Sequence, residues 1–333
     1  MKKLLIIFTG GTISAERREN IITRGQRTSG LLTLLPADTY DLIEPLDLLS
    51  ENITPEILFR LFRTITDTLC GRDYRGILIT HGTDTLAYTA QLAALLLGAL
   101  PLPTILLGSK TPANHPHYDG KSNFESALRF LPYAPPGVYV ASRHADGTDY
   151  IYPADSIMQP DYITDDFAPY RGNYYAKWSN STLPERNAPS ALLSNPLFRK
   201  QPIYPVLLSL FRQTQEPTFP HVWLLPAYVG QDYSMLDPRQ YDGRYILHLL
   251  YHSGTACTAK DNRYSLPAFV IRCERAGKRL FLAPAEEITA VYESVLHLHI
   301  ATILRNMPPE RAWAMLLLAS WLGKDPDELY GEF

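Results

Sequence analysis

The first half of the chain alternates short apolar runs with longer stretches of helical periodicity. Apolar runs bounded by glycine or small polar residues predict buried strands at 4–8, 76–80, 103–107 and 138–142. The periodic stretches between them predict helices at 55–69, 85–97 and 123–131. Strands that are apolar on both faces and alternate with helices are typical of a parallel α/β sheet.

The second half of the chain begins with a break in this pattern. Asparagine, serine, proline and aromatic residues dominate from about 171 to 220, which indicates an irregular insertion and an interdomain linker. Beyond it, strands are predicted at 221–226, 268–273 and 280–283, and helices at 243–251, 294–305 and 308–322. We therefore predict a larger N-terminal α/β domain over 1–190, a linker over 191–219 and a smaller C-terminal α/β domain over 220–333.

Composition excludes several classes of protein. The 333 residues are 46% hydrophobic, which is enough for a substantial core and excludes wholesale disorder. The 31 basic and 34 acidic residues give a net charge of −3. The composition therefore lacks the excess of positive charge that is typical of proteins that bind nucleic acid or an anionic membrane. Three scattered cysteines cannot form a disulfide framework, and no apolar run approaches a membrane span. A cytoplasmic protein is expected.

Two polar motifs follow predicted strands, at the edge where parallel sheets carry their function. Thr-Gly-Gly-Thr-Ile at 9–13 follows the first strand, and its paired glycines are typical either of a plain tight turn or of a backbone that approaches a ligand closely. His-Gly-Thr-Asp-Thr at 81–85 opens an Ala/Leu-rich helix. At this position, Thr83 and Asp84 are either helix-capping residues or a hydroxyl and a carboxylate that take part in catalysis.

Together, the two motifs resemble the bacterial-type L-asparaginase/glutaminase family. Shorter matches extend the resemblance along the chain: Ser-Glu-Asn-Ile-Thr-Pro at 50–55, Leu-Gly-Ser at 107–109 leading to Asp-Gly at 119–120 and to Asn123, and Pro-Pro-Glu-Arg-Ala at 308–312. The resemblance weakens between about 171 and 220 and across the second domain. The resemblance implies a two-domain asparaginase-like fold with the larger parallel-sheet domain first.

The resemblance also implies amide hydrolysis through a threonine acyl-enzyme. In the family pattern, the hydroxyl of Thr12 attacks the substrate amide from a mobile loop. Thr83 acts with Asp84 and a lysine to activate and orient hydroxyl or water. Asp84 also binds the α-ammonium of the substrate, and Ser50 binds its α-carboxylate. The physical chemistry agrees, because threonine is a weak nucleophile that needs an adjacent base.

The substrate pocket expected from the resemblance includes Gly11, Gly82 and Ser109 beside Ser50. Backbone amides of the glycine turn, or those that follow Thr83, are candidates for the oxyanion hole. Small-molecule substrates are expected, with neither a metal nor an organic cofactor. Because the family's active sites lie between subunits, we expect a homodimer or homotetramer.

Two residues of the family pattern are missing. The tyrosine of the mobile loop falls on Ile21, and the lysine falls on Met158 or Gln159. A thioether or an amide does not accept a proton near neutral pH, so this base is absent unless another residue replaces it. The sequence offers three candidates for the replacement: Lys177, Arg143 and His144.

Two further positions indicate an altered substrate. Glu51 stands where the family has a neutral or small polar residue, next to the expected α-carboxylate. Two like charges in a closed site cost several kcal/mol, so free asparagine is expected to bind poorly. The loop at 253–257 also lacks the asparagine expected from a partner subunit.

Three functions are consistent with these residues. The first is an asparaginase-like amidohydrolase acting on an amide or acyl group of an amino-acid-like substrate other than free asparagine. The second is a transferase that passes the acyl group to an amine. The third is a ligand-binding protein that keeps the fold without activity. His248 and His252 have zinc-like spacing on a predicted helix, but without a third ligand they are expected to be structural.

Overall fold

The structure is a computed structural model that describes residues 2–19, 21–24, 30–172, 174–179, 185–186, 211, 221–260, 262–285 and 292–331. The chain divides into two compact units, Met1–Thr214 and Gln215–Phe333. The predicted linker at 191–219 lies outside the described residues except for Phe211, whose ring packs 5.2 Å from that of Phe59. The predicted boundaries at 190 and 219 therefore stay predictions.

A mixed eight-stranded sheet forms the centre of the first unit. The first strand, β1 (Lys3–Phe8), is followed by a separate antiparallel hairpin of β2 (Ala15–Arg18) and β3 (Ile21–Arg24). The other strands of the sheet are β4 (Tyr40–Ile43), β5 (Tyr74–Thr80), β6 (Pro103–Leu107), β7 (Gly137–Arg143), β8 (Asp149–Pro153), β9 (Ala176–Trp178) and β10 (Glu185–Arg186). The strand order is β10-β9-β8-β7-β6-β5-β1-β4, and the part from β7 to β4 is parallel.

Three long helices connect the parallel strands: α1 (Pro55–Leu69), α2 (Thr83–Leu97) and α3 (Gly120–Phe130). The start of α1 follows from its sequence, because Thr54 Oγ1 accepts the Ile57 amide at 3.4 Å and Pro55 occupies the first helical position. The strands and helices predicted for this half are confirmed, with small differences at their ends. The strands β4, β8, β9 and β10 and the hairpin were not predicted.

Burial explains why the central strands read as continuous apolar runs. From Leu4 to Phe8 every side chain of β1 is buried, and the same holds along all of β6. A parallel sheet covered on both faces has this pattern. Because β1, β5 and β6 are adjacent and parallel, their carboxyl ends lie side by side, with Phe8 in register with Thr80 and Thr80 with Leu107.

The second unit is built on a parallel sheet of four strands in the order β11-β12-β13-β14. These strands are β11 (Val222–Leu225), β12 (Tyr245–Leu249), β13 (Arg279–Ala285) and β14 (Thr302–Arg305). The helices described in this unit are α4 (Leu266–Arg275), α5 (Glu293–Leu296), α6 (Pro309–Leu322) and α7 (Pro326–Tyr330).

Three predictions for the second unit are wrong. The helix predicted at 243–251 is strand β12, and the strand predicted at 268–273 is helix α4. The helix predicted at 294–305 holds only the short α5, followed by strand β14. Buried apolar runs look alike in helices and in central strands, so periodicity alone does not separate them.

The two histidines with zinc-like spacing do not share a helix. His248 is buried in β12 with its Nε2 2.7 Å from the hydroxyl of Tyr233, whereas His252 lies in a turn. Within the described part of the chain, no cluster of three or more His, Cys, Asp or Glu side chains is arranged to hold a metal ion. Within the same residues, every helix is too short or too polar to cross a membrane.

Candidate active site

The motifs picked out in the sequence meet at one edge of the first unit's sheet. The strand ends of β1, β5 and β6 are tied together just beyond the ladder. Thr9 Oγ1 donates to the carbonyl of Thr80 at 2.7 Å, and the amide of His81 donates to the carbonyl of Leu107 at 2.9 Å. The segments 9–13, 81–85 and 107–109 are therefore neighbours, as expected from the rule that function gathers at the carboxyl ends of parallel strands.

The first of these segments needs glycine at two positions. Gly10 and Gly11 have φ values of +90° and +79°, a region that side chains other than glycine rarely adopt. A Cβ on Gly11 would lie 2.5 Å from the amide nitrogen of Gly82. The turns after β1 and β5 thus touch backbone to backbone. The Gly11 amide donates to the carbonyl of Leu48 at 2.9 Å, so it is used to hold the turn.

Thr12 opens a short 3₁₀ turn directly after the glycines and is half-buried, between the buried Gly11 and Ile13. The turn is fixed from outside by Tyr118, whose hydroxyl donates to the carbonyl of Ile13 at 2.8 Å. Ile21, where the family's tyrosine was expected, lies on β3 and is 66% exposed. Thr12 therefore lies at the sheet edge on a firmly held turn.

The hairpin that follows Thr12 is joined to the loop after β6. The amide of Ala113 donates to the carbonyl of Ala15 at 2.8 Å. Asn114 makes two bonds to the backbone of Arg17: its Oδ1 accepts the amide at 2.8 Å and its Nδ2 donates to the carbonyl at 2.7 Å. We call this set of contacts, with the Tyr118–Ile13 bond, the hairpin–loop clasp.

The second segment begins helix α2 without a side-chain cap. Gly82 occupies the N-cap position, and no side chain accepts a hydrogen bond there. Instead of capping, Thr85 Oγ1 donates to the carbonyl of Ser50 at 2.9 Å. Thr83 is half-buried and Asp84 is exposed. An uncapped helix start leaves amide donors and positive potential at the sheet edge, which suits a developing oxyanion.

The other predicted pocket residues lie beside these turns, and they differ in burial and in their hydrogen bonds. Ser50 is buried against Gly82, where an added Cβ would fall 2.3 Å from its hydroxyl oxygen. Glu51 is exposed. Ser109 is fully buried and donates to Asp119 Oδ1 at 2.7 Å, so its hydroxyl helps to shape the loop after β6.

Two of the three candidates for the missing lysine are engaged elsewhere. Lys177 pairs with Glu185 at 3.5 Å, and Arg143 pairs with Asp149 at 3.3 Å. The third candidate is His144. It is half-buried with its Nε2 2.8 Å from the hydroxyl of Tyr152, and burial lowers its pKa below the ordinary value.

Sequence reasoning missed Lys110, which forms an ion pair with Asp166. This lysine directly follows Ser109 in the loop beyond the end of β6. Gln159, one of the two residues on which the family's lysine falls, reaches the start of α2: its Nε2 donates to the backbone carbonyl of Asp84 at 2.6 Å.

The fold and this edge define an α/β protein that gathers two threonines, two glycine turns and an uncapped helix start at the carboxyl end of a parallel sheet. The chain belongs to the asparaginase family: the family model described as "Asparaginase, N-terminal" matches residues 3–179. The resemblance drawn from the motifs is thereby confirmed.

Two relatives match less than half of the chain. The L-asparaginase of Thermococcus kodakarensis is 36% identical over 144 residues, which are 42% of this chain and 43% of that protein. A glutamyl-tRNA(Gln) amidotransferase subunit of Saccharolobus islandicus is 33% identical over 153 residues, which are 44% of this chain and 34% of that protein. The chain thus matches less than half the length of either relative.

Solved structures extend the likeness to the whole chain. The thermostable L-asparaginase of Thermococcus kodakarensis superimposes with a TM-score of 0.71 at 22% identity and 99% coverage of both chains. A probable cytoplasmic L-asparaginase from Campylobacter jejuni gives 0.73 at 20% identity, with 99% of this chain and 98% of that chain covered. The predicted asparaginase-like α/β fold is confirmed.

The free energy of unfolding is expected to fall as the pH drops from about 6.5 towards about 4. Burial lowers the pKa of His81 to about 4, and burial does the same for His248. In this window both stay neutral in the folded chain and take up a proton in the unfolded chain, so acid favours unfolding. Each histidine costs the folded state on the order of 3 kcal/mol at the acid end. Urea unfolding measured across this pH range checks the slope.

Three substitutions test whether the two histidines cause this loss of stability at low pH. His81→Gln and His248→Gln should each flatten the decline, because the glutamine does not titrate. His117→Gln, at an exposed position, should leave it unchanged. An equal slope in all four proteins would contradict the assignment.

Proposed function

We propose that this protein is an asparaginase-like amidohydrolase with Thr12 as nucleophile. Its substrate is an amide or acyl group of an amino-acid-like molecule other than free asparagine. One observation carries the proposal: the Thr12 turn and the Thr83 helix start touch at one sheet edge, through a contact between Gly11 and Gly82 that leaves no room for a Cβ. In this proposal the two hydroxyls act on the same substrate.

The proposed reaction has two halves. The Thr12 oxygen attacks the carbonyl carbon of the amide, its proton passes to the leaving nitrogen, and ammonia or an amine departs. Water then cleaves the resulting ester and restores the hydroxyl, with Thr83 and Asp84 orienting the attacking group. The uncapped first turn of α2 supplies amide donors for the oxyanion in both halves. The Gly11 amide has no part in this, because it is bonded to Leu48.

The proposed substrate contacts follow from the placement of the polar groups. Asp84 is exposed at the helix start and binds an ammonium group, whereas Ser50 binds the opposite end of the substrate beside Gly82. Glu51, next along the chain, adds a negative charge at that end. A substrate with a neutral group in place of the free α-carboxylate, such as a peptide-linked or amidated asparagine, avoids this repulsion.

The second candidate function is acyl transfer to an amine. It is favoured by the likeness to a protein named as an amidotransferase subunit and by Met158 and Gln159 at the expected position of the lysine. In this reaction the same Thr12 ester is consumed by an amine instead of water. We further propose a cytoplasmic homodimer or homotetramer that acts on small molecules, in keeping with the solved neighbour described as cytoplasmic.

A panel of amides separates these functions. Ammonia release and acyl-hydroxamate formation with added hydroxylamine are measured for asparagine, glutamine, asparagine amide and short asparagine-containing peptides. Hydrolysis gives ammonia without an acceptor, whereas a transferase releases ammonia only when an amine is present. Rapid turnover of free asparagine would contradict the proposed substrate class. No turnover of any amide under either condition would contradict both reactions.

Glu51→Gln is expected to lower the KM for free asparagine. Removing one negative charge near the α-carboxylate relieves about 1 kcal/mol of repulsion at an exposed position, which corresponds to roughly a fivefold change. The KM for asparagine amide should stay the same, because that substrate lacks the carboxylate. Glu125→Gln makes the same charge change on the exposed face of α3 and serves as control. Equal effects of the two substitutions would refute a local role for Glu51.

A further inference from the structure

The second unit contains a cavity of about 450 Å³ whose lining is rich in arginine. The cavity lies where the end of α4 meets two 3₁₀ turns, Tyr233–Met235 and Pro238–Gln240. Arg239 lines it from the second turn, and Arg272 and Arg275 line it from the last turn of α4. Its volume falls in the range of small-molecule sites, so the chemistry of the lining decides which ligand fits.

Two of these guanidinium groups are already held in place. The Nε of Arg239 donates to both carboxylate oxygens of Asp237, at 2.9 and 3.2 Å, and its Nη2 donates to Oδ2 at 2.8 Å. Arg272 donates to the backbone carbonyl of Tyr233, and its guanidinium carbon lies 5.2 Å from the centre of the Phe269 ring. Because these side chains have little freedom left to lose, binding to them costs less conformational entropy.

The lining has an excess of positive charge. Three arginines and one acidic residue, Asp237, line the cavity, so two positive charges are left uncompensated there. Glu274, the acidic residue of α4, lines a different cavity together with Arg244. Arg275 is exposed, and no carboxylate among the described residues forms an ion pair with it. The cavity is therefore a favourable place for an anion.

Other groups near the arginines already have partners. The last carbonyl groups of α4, which attract basic side chains, accept the backbone amides of residues 276–278. Asp232, at the start of the first 3₁₀ turn, forms an ion pair with Arg263 at 3.4 Å. Guanidinium donors on the three arginines are therefore left for a ligand.

A phosphate group matches this lining better than a carboxylate does. Guanidinium groups bind the oxygens of both anions through paired hydrogen bonds. A phosphate monoester has a charge of about −1.5 to −2 at neutral pH and three acceptor oxygens, whereas a carboxylate has a single charge and two oxygens. At roughly 30 Å³ for each water molecule, the cavity has room for more than a phosphate group. Leu236, Pro238 and Ala276 give it an apolar part.

We propose that the cavity lined by Arg239, Arg272 and Arg275 binds a small molecule through a dianionic phosphate group. The two pre-positioned arginines donate to its oxygens, and the exposed Arg275 completes the set. The apolar part of the lining contacts the organic portion when the ligand is a phosphate ester. The cavity shares no residue with the proposed active site, so this proposal does not rest on the amidohydrolase function.

Isothermal titration calorimetry at constant ionic strength tests the site with glycerol phosphate, inorganic phosphate and succinate. Arg275→Met should raise the Kd of both phosphate compounds about tenfold, because it removes a charged donor at an exposed position. Arg244→Met removes the same charge from a different cavity of this unit and should leave both Kd values unchanged. Succinate, a dianion of another shape, should bind more weakly than either phosphate compound.

Asp237→Asn tests the site in the opposite direction. Asparagine keeps an oxygen for the Arg239 amide, which Asp237 Oδ1 accepts at 3.0 Å, but it removes the negative charge from the lining. The Kd of both phosphate compounds should therefore fall about fivefold. A substitution that merely disturbs the fold does not tighten binding, so this result separates a role in binding from a structural one.

The order of the two phosphate compounds identifies the source of the phosphate group. Tighter binding of glycerol phosphate supports an ester as the ligand, and tighter binding of inorganic phosphate supports the free ion. Three results would each overturn the proposal: no saturable binding of either compound to the wild type, equal weakening by Arg244→Met and Arg275→Met, or succinate binding as tightly as the phosphates. An unchanged Kd in Asp237→Asn would also contradict it.

Discussion

Thr12→Ala is expected to lower kcat for the best amide by about 10³-fold or more, because it removes the hydroxyl that forms the acyl-enzyme. The fold should be unaffected, since Thr12 is half-buried on a turn held by its backbone and by Tyr118. Intact-mass measurement after rapid quenching should find an acyl adduct in the wild type and none in the variant. Ammonia release gives the rate.

Two further variants identify the nucleophile. Thr12→Ser keeps a hydroxyl and should keep a measurable fraction of the activity and the adduct. Thr83→Ala should slow turnover while the adduct still forms. An adduct that survives in Thr12→Ala and disappears in Thr83→Ala would assign the attack to Thr83 instead. If no variant forms an adduct and Thr12→Ala leaves ligand binding unchanged, the protein would instead be the inactive ligand-binding alternative.

Gly11→Ala is expected to destabilise the first unit by about 2–4 kcal/mol and to abolish activity together with it. The new Cβ would meet the Gly82 backbone at 2.5 Å and would have to adopt a φ of +79°. Backbone cannot move aside as a flexible side chain does, so the turns after β1 and β5 must separate. Denaturant unfolding and the acyl-adduct assay report the two losses.

Gly71→Ala separates the cost of the backbone strain from the cost of the steric clash. Gly71 lies in the same unit with a φ of +71°, but nothing lies within 4 Å of its added Cβ. It should cost only the backbone strain, about 1 kcal/mol, and leave activity unchanged. If the two substitutions destabilised the chain equally, the close approach of the glycine turns would have no energetic weight.

Where local signals agreed with tertiary structure, the sequence was a reliable guide. The Thr-Pro pair before α1 and the apolar runs of β1 and β6 each specify one element without help from the rest of the chain. The rule that motifs collect at strand ends then brought the segments 9–13 and 81–85 together. Glycine turns and buried central strands are features that sequence patterns encode directly.

Long-range packing is where sequence reasoning failed. The run at Tyr245–Leu249 is apolar because it lies inside a parallel sheet, yet its spacing also suits a helix. Helix α4 contains Val270 and Ile271, which favour strands locally, and tertiary packing overrides that preference. The pairing of Lys110 with Asp166 joins residues 56 positions apart, and no local pattern marks it.

The hairpin–loop clasp has a mechanical consequence. Lifting the hairpin would break its bonds to Ala113, Asn114 and Tyr118 at once, and these residues belong to the loop after β6. We therefore expect the turn that carries the proposed nucleophile and the loop after β6 to behave as one mechanical unit.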